Sequence, residues 1–254
     1  MMSIISLLLL ASLLPHLTFT ARVNVGIVNG KEAKPHSRPY MVSIQLTKRH
    51  VCGGFLISDE FVMTAAHCWK GYPEILTVVV GAHDLRKSEI SDRVEVKSYI
   101  PHPYYTFCSL QNDIMLFRLQ EKVKLNNDVK WISLPKEGDV NGDTLCSVAG
   151  WGRLWMNGIL SSRLMEANMT TINHAVCQHK WGSKYFEASQ MICAHGDGGS
   201  CKGDSGGPLV CGNTAAGVTS FVSRERCNSP ERPNVYTKIS AYLPWIHQII
   251  RNIK

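Results

Sequence analysis

One stretch decides more about this chain than any other: Gly203-Asp204-Ser205-Gly206-Gly207-Pro208. Its glycines let the backbone turn sharply, so that several N–H groups can point at one spot beside the Ser205 hydroxyl. A serine hydroxyl is a poor nucleophile at neutral pH and needs a base to accept its proton. The stretch therefore indicates a nucleophilic serine, provided that a base is found elsewhere in the chain.

Two further segments supply the missing groups: Thr64-Ala65-Ala66-His67-Cys68 and Asn112-Asp113-Ile114-Met115-Leu116. Histidine suits a general base because its pKa lies near working pH. A carboxylate fixes the tautomer of that histidine and stabilises the imidazolium. Taken singly, each residue has an ordinary interpretation as a surface histidine, a turn aspartate or a loop serine. The combination, in the order His, Asp, Ser, favours nucleophilic catalysis.

Short apolar segments separated by turn signals recur along the chain, at 40–45, 76–80, 93–96, 114–117, 146–149, 208–210 and 216–220. Many short strands with little helix between them indicate an all-β sandwich or barrel. One helix is predicted at 239–253, where Leu243, Ile246 and Ile250 recur near the helical period. The polar connector at 125–134 is expected to join two halves.

Composition narrows the class of protein. Hydrophobic residues make up 44% of the 254 residues, which excludes a disordered chain. The formal charge of +7 favours contact with a polyanion such as an acidic proteoglycan over nucleic-acid recognition. The 9 cysteines are many for a cytosolic protein.

The amino-terminal segment accounts for the high number of cysteines. Residues 1–20 are typical of a signal peptide, with an apolar run that ends at Pro15. This run is shorter than the ~20 residues that a membrane span needs, which disfavours the alternative of a signal anchor. The chain is therefore expected to be secreted or stored in secretory granules, where disulfides form, and to have no membrane span.

Further motifs accompany these segments: Ile27-Val28-Asn29-Gly30, Cys52-Gly53-Gly54, Gly150-Trp151-Gly152 and Pro233-Asn234-Val235-Tyr236. With them, residues 27–254 resemble the chymotrypsin-type serine endopeptidases, and residues 35–41 look closest to granzymes and mast-cell proteases. The resemblance implies two six-stranded antiparallel β-barrels with a C-terminal helix and an active site between the barrels.

The resemblance also implies catalytic roles. His67 would be the general base and acid, Asp113 would orient it, and Ser205 would attack the scissile carbonyl. The N–H groups of Gly203 and Ser205 would form the oxyanion hole.

Zymogen activation is a further implication of the resemblance. Residues 21–26 would be an activation prosegment and 27–254 the peptidase domain, with the crossover near 125–134. Cleavage before Ile27 would free an α-amino group that pairs with Asp204. Because Gly26 precedes Ile27, a trypsin-like activator is not expected, and the identity of the activator stays open.

Four disulfides are implied by the resemblance: Cys52–Cys68, Cys146–Cys211, Cys177–Cys193 and Cys201–Cys227. Cys108 is left over, and both a free thiol and an interchain bridge remain open. No metal or other cofactor is expected: a calcium ligand of trypsins would fall at Ala82, and the cysteine spacing does not suit zinc.

The pocket for the residue before the scissile bond would have Gly199 at its base and Ser200, Val222 and Asn234 in its walls. Gly199 cannot pair with a Lys or Arg side chain, and Val222 and Asn234 narrow the slot. The sequence therefore predicts a preference for small or medium uncharged residues. Asn234 is also expected to be able to hydrogen-bond a polar substrate side chain.

The expected partners are protein and peptide substrates, serpin-type inhibitors and an acidic proteoglycan, for a chain that is a monomer and N-glycosylated at Asn168. An inert family member acting as a secreted cationic or antimicrobial binding protein is the alternative, although such members usually lose the triad. Ester and lipid hydrolases place Ser before Asp and His, the reverse of the order here.

Overall fold

Strands dominate the part of the chain that the computed structural model describes, namely residues 27–87, 92–136, 138, 140 and 142–252. The predicted signal peptide at 1–20 and prosegment at 21–26 lie outside these residues. The strands form two antiparallel β-barrels, and a helix follows the second barrel. This arrangement confirms the predicted fold class.

The first barrel closes through six strands in the order β2-β3-β4-β7-β6-β5. Their bounds are β2 Met41–Leu46, β3 Arg49–Leu56, β4 Phe61–Thr64, β5 Leu76–Val80, β6 Asp92–Pro101 and β7 Met115–Leu119. Alternate side chains of each strand point inward, and Val42, Phe55 and Leu116 are fully buried inside the barrel.

The second barrel closes in the order β9-β10-β13-β12-β11-β8, because β8 also pairs with β9. Its strands are β8 Leu145–Gly150, β9 Met165–Ile172, β10 Met191–His195, β11 Pro208–Cys211, β12 Thr214–Phe221 and β13 Asn234–Lys238. The short strand β1, Lys31–Glu32, pairs with β9. Residues 120–144 connect the two barrels, and no strand or helix occurs among those of them that the structure describes.

Every apolar segment singled out in the sequence overlaps a strand, but five barrel strands, β3, β4, β9, β10 and β13, lacked a segment of this kind. Strand β3 shows one reason, since it carries Gly53 and Gly54, which are poor strand formers. A side chain at Gly54 would press against the Met63 carbonyl and Val42, so close strand packing requires the glycine.

The predicted C-terminal helix begins as a 3₁₀ turn, Ile239–Tyr242, and continues as an α-helix, Leu243–Asn252. We number this helix α2, because a shorter helix, α1, lies at His174–Trp181. The sequence pattern did not predict α1. Only Cys177 of α1 is buried, so the helix has no apolar face for a pattern to show. None of the helices among the described residues is long and apolar enough to cross a membrane.

Four disulfides connect the cysteines in the pairs implied by the resemblance: Cys52–Cys68, Cys146–Cys211, Cys177–Cys193 and Cys201–Cys227. Cys108 is unpaired and exposed.

Candidate active site

His67 and Asp113 meet at the junction of the two barrels. His67 lies in a 3₁₀ turn, Ala66–Cys68, just after β4, and Asp113 lies just before β7. Because β4 and β7 are paired, the two side chains lie side by side. His67 Nδ1 is 2.7 Å from Asp113 Oδ2, and the His67 backbone N–H donates to Oδ1 at 3.0 Å.

The electrostatics of this pair suit a base. Burial by itself lowers the pKa of His67, but the charge of Asp113 and its hydrogen bond outweigh burial and raise that pKa above 6.5. Asp113 is fully buried, so its charge acts at low dielectric, while the His67 side chain keeps 21% of its surface exposed. The imidazole can therefore exchange a proton with a bound molecule.

Two residues that the sequence analysis missed support Asp113 from the second barrel. Ser220 Oγ donates to Asp113 Oδ2 at 2.5 Å, and Thr237 Oγ1 donates to the Asp113 carbonyl at 2.9 Å. The Ser220 hydrogen bond compensates in part for the burial of the carboxylate, and the Thr237 hydrogen bond holds the Asp113 backbone in place. The only sequence signal was that Ser220 lies two residues before Val222, in the predicted pocket wall.

Ser205 is brought to this junction by the glycine loop. The Gly53 N–H donates to the Ser205 carbonyl at 2.8 Å. Gly206, at φ +83°, packs against Thr64 and Ala65, where any side chain would collide with the Thr64 hydroxyl. The loop thus lies against the segment that carries His67, and Ser205 is half-buried beside it.

The same loop leaves two backbone donors unused. Among the hydrogen bonds of the described residues, none takes the N–H of Gly203 or of Ser205. Gly203 adopts φ +99°, a conformation that favours glycine. Two open N–H groups beside a serine are the donor set that an oxyanion requires.

His50, a further residue that the sequence analysis missed, supports this loop through a hydrogen bond to Gly203. Its Nε2–H donates to the Gly203 carbonyl at 2.9 Å, and its Nδ1 accepts from Ser43 Oγ at 2.8 Å. Burial lowers the pKa of His50 to about 4, so the ring is neutral and can hold both partners at neutral pH. A buried neutral histidine thereby fixes the direction of the Gly203 peptide.

Asp204 points away from the cleft into the second barrel. Its carboxylate accepts hydrogen bonds from the backbone N–H groups of Gly152 and Cys201. A side chain at Gly150 or Gly152 would overlap this carboxylate, which explains the glycines of the Gly150-Trp151-Gly152 motif. Burial raises the pKa of Asp204 to about 7, against the two backbone hydrogen bonds. Ile27 is also fully buried in the second barrel, with Val148.

Three of the residues predicted for the substrate pocket, Gly199, Ser200 and Asn234, lie next to one another. The Cβ of a side chain at Gly199 would lie 3.1 Å from Asn228 Oδ1 and closer still to Asn234 Oδ1, so two amide oxygens fill the space at its base. Asn234 accepts from the Ser200 N–H and donates to the Cys227 carbonyl, so both ends of its amide bond the backbone. The Asn234 amide therefore holds two backbone groups of the pocket wall in place, and its hydrogen bond to a polar substrate side chain stays a prediction.

Val222 follows β12 and is half-buried, and the disulfide Cys201–Cys227 joins the loops on either side of the pocket. Away from the pocket, Asn168 is exposed on β9.

One group of metal-ligating atoms occurs among the described residues, in Cys52, His67 and Cys68, within 4.8 Å of one another. Both of its sulfur atoms are joined in a disulfide, so the group has no thiolates to offer a metal.

A histidine paired with a buried aspartate, beside a serine at the junction of two β-barrels, is typical of a serine hydrolase. Comparison with known proteins gives the family: the family model described as Trypsin matches residues 27–246. The chain is 42% identical over 232 residues to granzyme-like protein 2 of Rattus norvegicus, covering 89% of this chain and 90% of that protein. It is 38% identical over 257 residues to cathepsin G of Homo sapiens, covering 98% and 95%.

Among solved structures, the chain resembles neuropsin, a serine protease expressed in the limbic system of mouse brain, with a TM-score of 0.81 and 34% identity. The match covers 88% of this chain and 99% of that one. The chain belongs to the trypsin family, and it is a serine protease with granzyme-like relatives.

Proposed function

We propose that this serine protease is a secreted or granule-stored endopeptidase whose catalytic residues are His67, Asp113 and Ser205. The observation that carries this proposal is the buried Asp113 carboxylate, 2.7 Å from His67 Nδ1 in a cleft that Ser205 borders. A buried carboxylate fixes Nδ1 as the protonated nitrogen, which leaves Nε2 to accept the proton of the Ser205 hydroxyl.

The reaction then follows from these groups. Ser205 Oγ attacks the carbonyl carbon of the scissile peptide bond as His67 takes its proton. The N–H groups of Gly203 and Ser205 stabilise the oxyanion of the tetrahedral intermediate. His67 gives its proton to the departing amine, and a water molecule, activated by His67 in the same way, releases the acyl group from Ser205.

Activation by cleavage before Ile27 is part of the proposal. The support is that Ile27 and the Asp204 carboxylate are both buried in the second barrel. A freed α-amino group at Ile27 would give this buried carboxylate a positive partner, and a buried charge with a partner is far less costly than one without. Residues 1–20 would first direct the chain into the secretory pathway, and residues 21–26 would be the prosegment of the peptidase domain 27–254.

The proposed specificity is for small or medium uncharged residues before the scissile bond. The groups nearest to Gly199 at the pocket base are the amide oxygens of Asn234 and Asn228, which carry no charge that could pair with Lys or Arg. Val222 would restrict the width of the pocket. Storage on an acidic proteoglycan, inhibition by serpin-type inhibitors, a monomeric state and a glycan on the exposed Asn168 are further parts of this proposal.

A cleavage profile on a peptide library tests the function. The protein is prepared with Ile27 as its first residue, and Ser205→Ala is the matched control. We expect cuts after Ala, Val, Thr, Leu or Met that vanish in the control. Cuts after Lys or Arg would overturn the proposed pocket but keep the enzyme class. A folded protein with a free Ile27 terminus and no cleavage would instead favour the inert binding protein.

A further inference from the structure

A cavity of about 310 Å³ lies between the segment that leads to Asp113 and the segment that follows Ser220. One wall belongs to the segment before Asp113 and includes Leu110, and the other belongs to the segment after Ser220 and includes Val222. The Ser220–Asp113 hydrogen bond joins the two chain segments that form these walls. The cavity therefore adjoins the pocket for the residue before the scissile bond, with which it shares Val222.

The floor of the cavity is aromatic and rigid. Trp181, the last residue of α1, packs edge-on against Phe221 with ring centroids 5.1 Å apart. The Trp181 indole N–H donates to the Pro233 carbonyl at 3.0 Å, which fixes the ring. Such a floor offers apolar contact to the methylene groups of a side chain.

The rim of the cavity is positively charged. Arg224 and Arg232 both line it, and the Arg232 guanidinium lies 5.7 Å from the centre of the Trp181 ring. Neither arginine forms an ion pair with another described residue, and no carboxylate is among the residues that line the cavity. Two arginines and two aromatic rings in one cavity match a short apolar stem that ends in a carboxylate.

We propose that this cavity binds an acidic side chain of the substrate, glutamate or aspartate, two to four residues before the scissile bond. The inference rests on the proposed function, since it requires a peptide held with one side chain in the Gly199 pocket. The cavity adjoins Val222 and not the Gly203 donors, so it faces the acyl half of the substrate, the half that stays bound to Ser205. Arg224 and Arg232 are then specificity-determining residues.

Matched peptides test this proposal. They share one residue before the scissile bond and carry Glu or Gln at the second, third or fourth position before that bond. We expect a higher kcat/KM for a Glu peptide than for its Gln twin, by several-fold at low salt and less at high salt. Arg224→Gln and Arg232→Gln should each reduce this preference about twofold to fivefold, and the double variant should remove it. Arg251→Gln, an exposed change on α2, is the control and should leave the preference intact.

The Gln peptides separate the two proposals. If the parent protein and the arginine variants cleave the Gln peptides equally, and the parent protein does not prefer Glu over Gln, the acidic subsite is wrong while the protease function stands. A preference for Glu only after the scissile bond would also overturn the subsite. If Ser205→Ala cleaves the Gln peptides as fast as the parent protein, the proposed function itself fails.

The exposed thiol of Cys108 provides a second test, because Cys108 lies on the cavity wall. Iodoacetate adds a carboxylate to this sulfur, and iodoacetamide adds an uncharged group of similar size. We expect carboxymethylation to weaken the preference for Glu more than carbamidomethylation does, since the new carboxylate competes for the arginines. Cys108→Ser should be insensitive to both reagents. Equal effects of the two reagents would count against the subsite.

Discussion

At the scale of single residues, the chemistry of the site depends on one buried charge. Asp113 is fully buried, yet hydrogen bonds from the His67 backbone and from Ser220 stabilise its carboxylate. Burial lowers the pKa of His67, but Asp113 has the larger opposite effect, so the pKa of His67 is raised. A base needs its neutral form, so the raised pKa sets the lower pH limit of activity.

The change Asp113→Asn tests this dependence. We expect kcat/KM to fall by about 10⁴-fold, because the amide favours the wrong tautomer of His67. The acid limb of the pH profile follows the raised pKa of His67 in the parent protein, and it should move to lower pH in the variant because burial alone then acts on His67. Steady-state kinetics between pH 5 and 9 measure both effects. A profile whose acid limb did not move would show that Asp113 does not control the titration of His67.

At the scale of elements, helix α1 is stabilised by an N-cap and a disulfide and not by an apolar face. The helix starts at His174, and the Asn173 side chain accepts a hydrogen bond from the Ala175 N–H as an N-cap. The disulfide Cys177–Cys193 links α1 to β10, and the helix ends at Trp181. A capping residue and one buried cysteine are too little for periodicity to detect, which is why the sequence missed α1.

We expect Asn173→Ala to lower the free energy of unfolding by about 1 kcal/mol, the usual cost of a lost N-cap. Asn173→Asp keeps a side-chain acceptor at this position and should be close to the parent protein. Urea denaturation of both variants measures the difference. If alanine and aspartate cost the same, the cap contributes nothing to stability.

At the scale of the whole molecule, the two barrels and the C-terminal helix share one core. Ile246 of α2 and Val218 of β12 belong to the same buried cluster as Val42 and Phe55 of the first barrel. The cleft that holds His67, Asp113 and Ser205 runs along this junction. Relative movement of the barrels would therefore disturb the core, so the site inherits its rigidity from the packing between them.

The proposed cleavage before Ile27 should change how the free energy of unfolding depends on pH. In the uncleaved chain, burial raises the pKa of Asp204 to about 7, from about 3.9 in an unfolded chain. Between these values the folded state holds a proton that the unfolded state lacks, so stability falls as pH rises from about 4 to 7. After cleavage before Ile27, the α-amino cation would lower the pKa of Asp204 and remove this fall.

Thermal unfolding of both forms between pH 4.5 and 7.5 measures this effect, with Ser205→Ala in both to prevent self-cleavage. Other titratable groups are common to the two forms, so the difference between their curves isolates Asp204 and the new terminus. Parallel curves would contradict a pairing between Ile27 and Asp204.

Local sequence motifs were sufficient to predict the class of protein. The order His67, Asp113, Ser205, the glycine loop and the set of cysteines were enough, through resemblance, to predict both barrels and the enzyme class. Such motifs are local, and the chemistry they perform leaves few other residue types acceptable at each position.

The contacts that support the site could not be predicted from local motifs and are seen in the folded molecule. Ser220 lies 107 residues from Asp113, and His50 lies 153 residues from Gly203, yet each pair is hydrogen-bonded. The bonded amide of Asn234 and the meeting of Arg224, Arg232 and Trp181 in one cavity are equally non-local. Barrel closure creates these contacts, because strand pairing sets which distant residues become neighbours, and no local pattern of residues encodes that pairing.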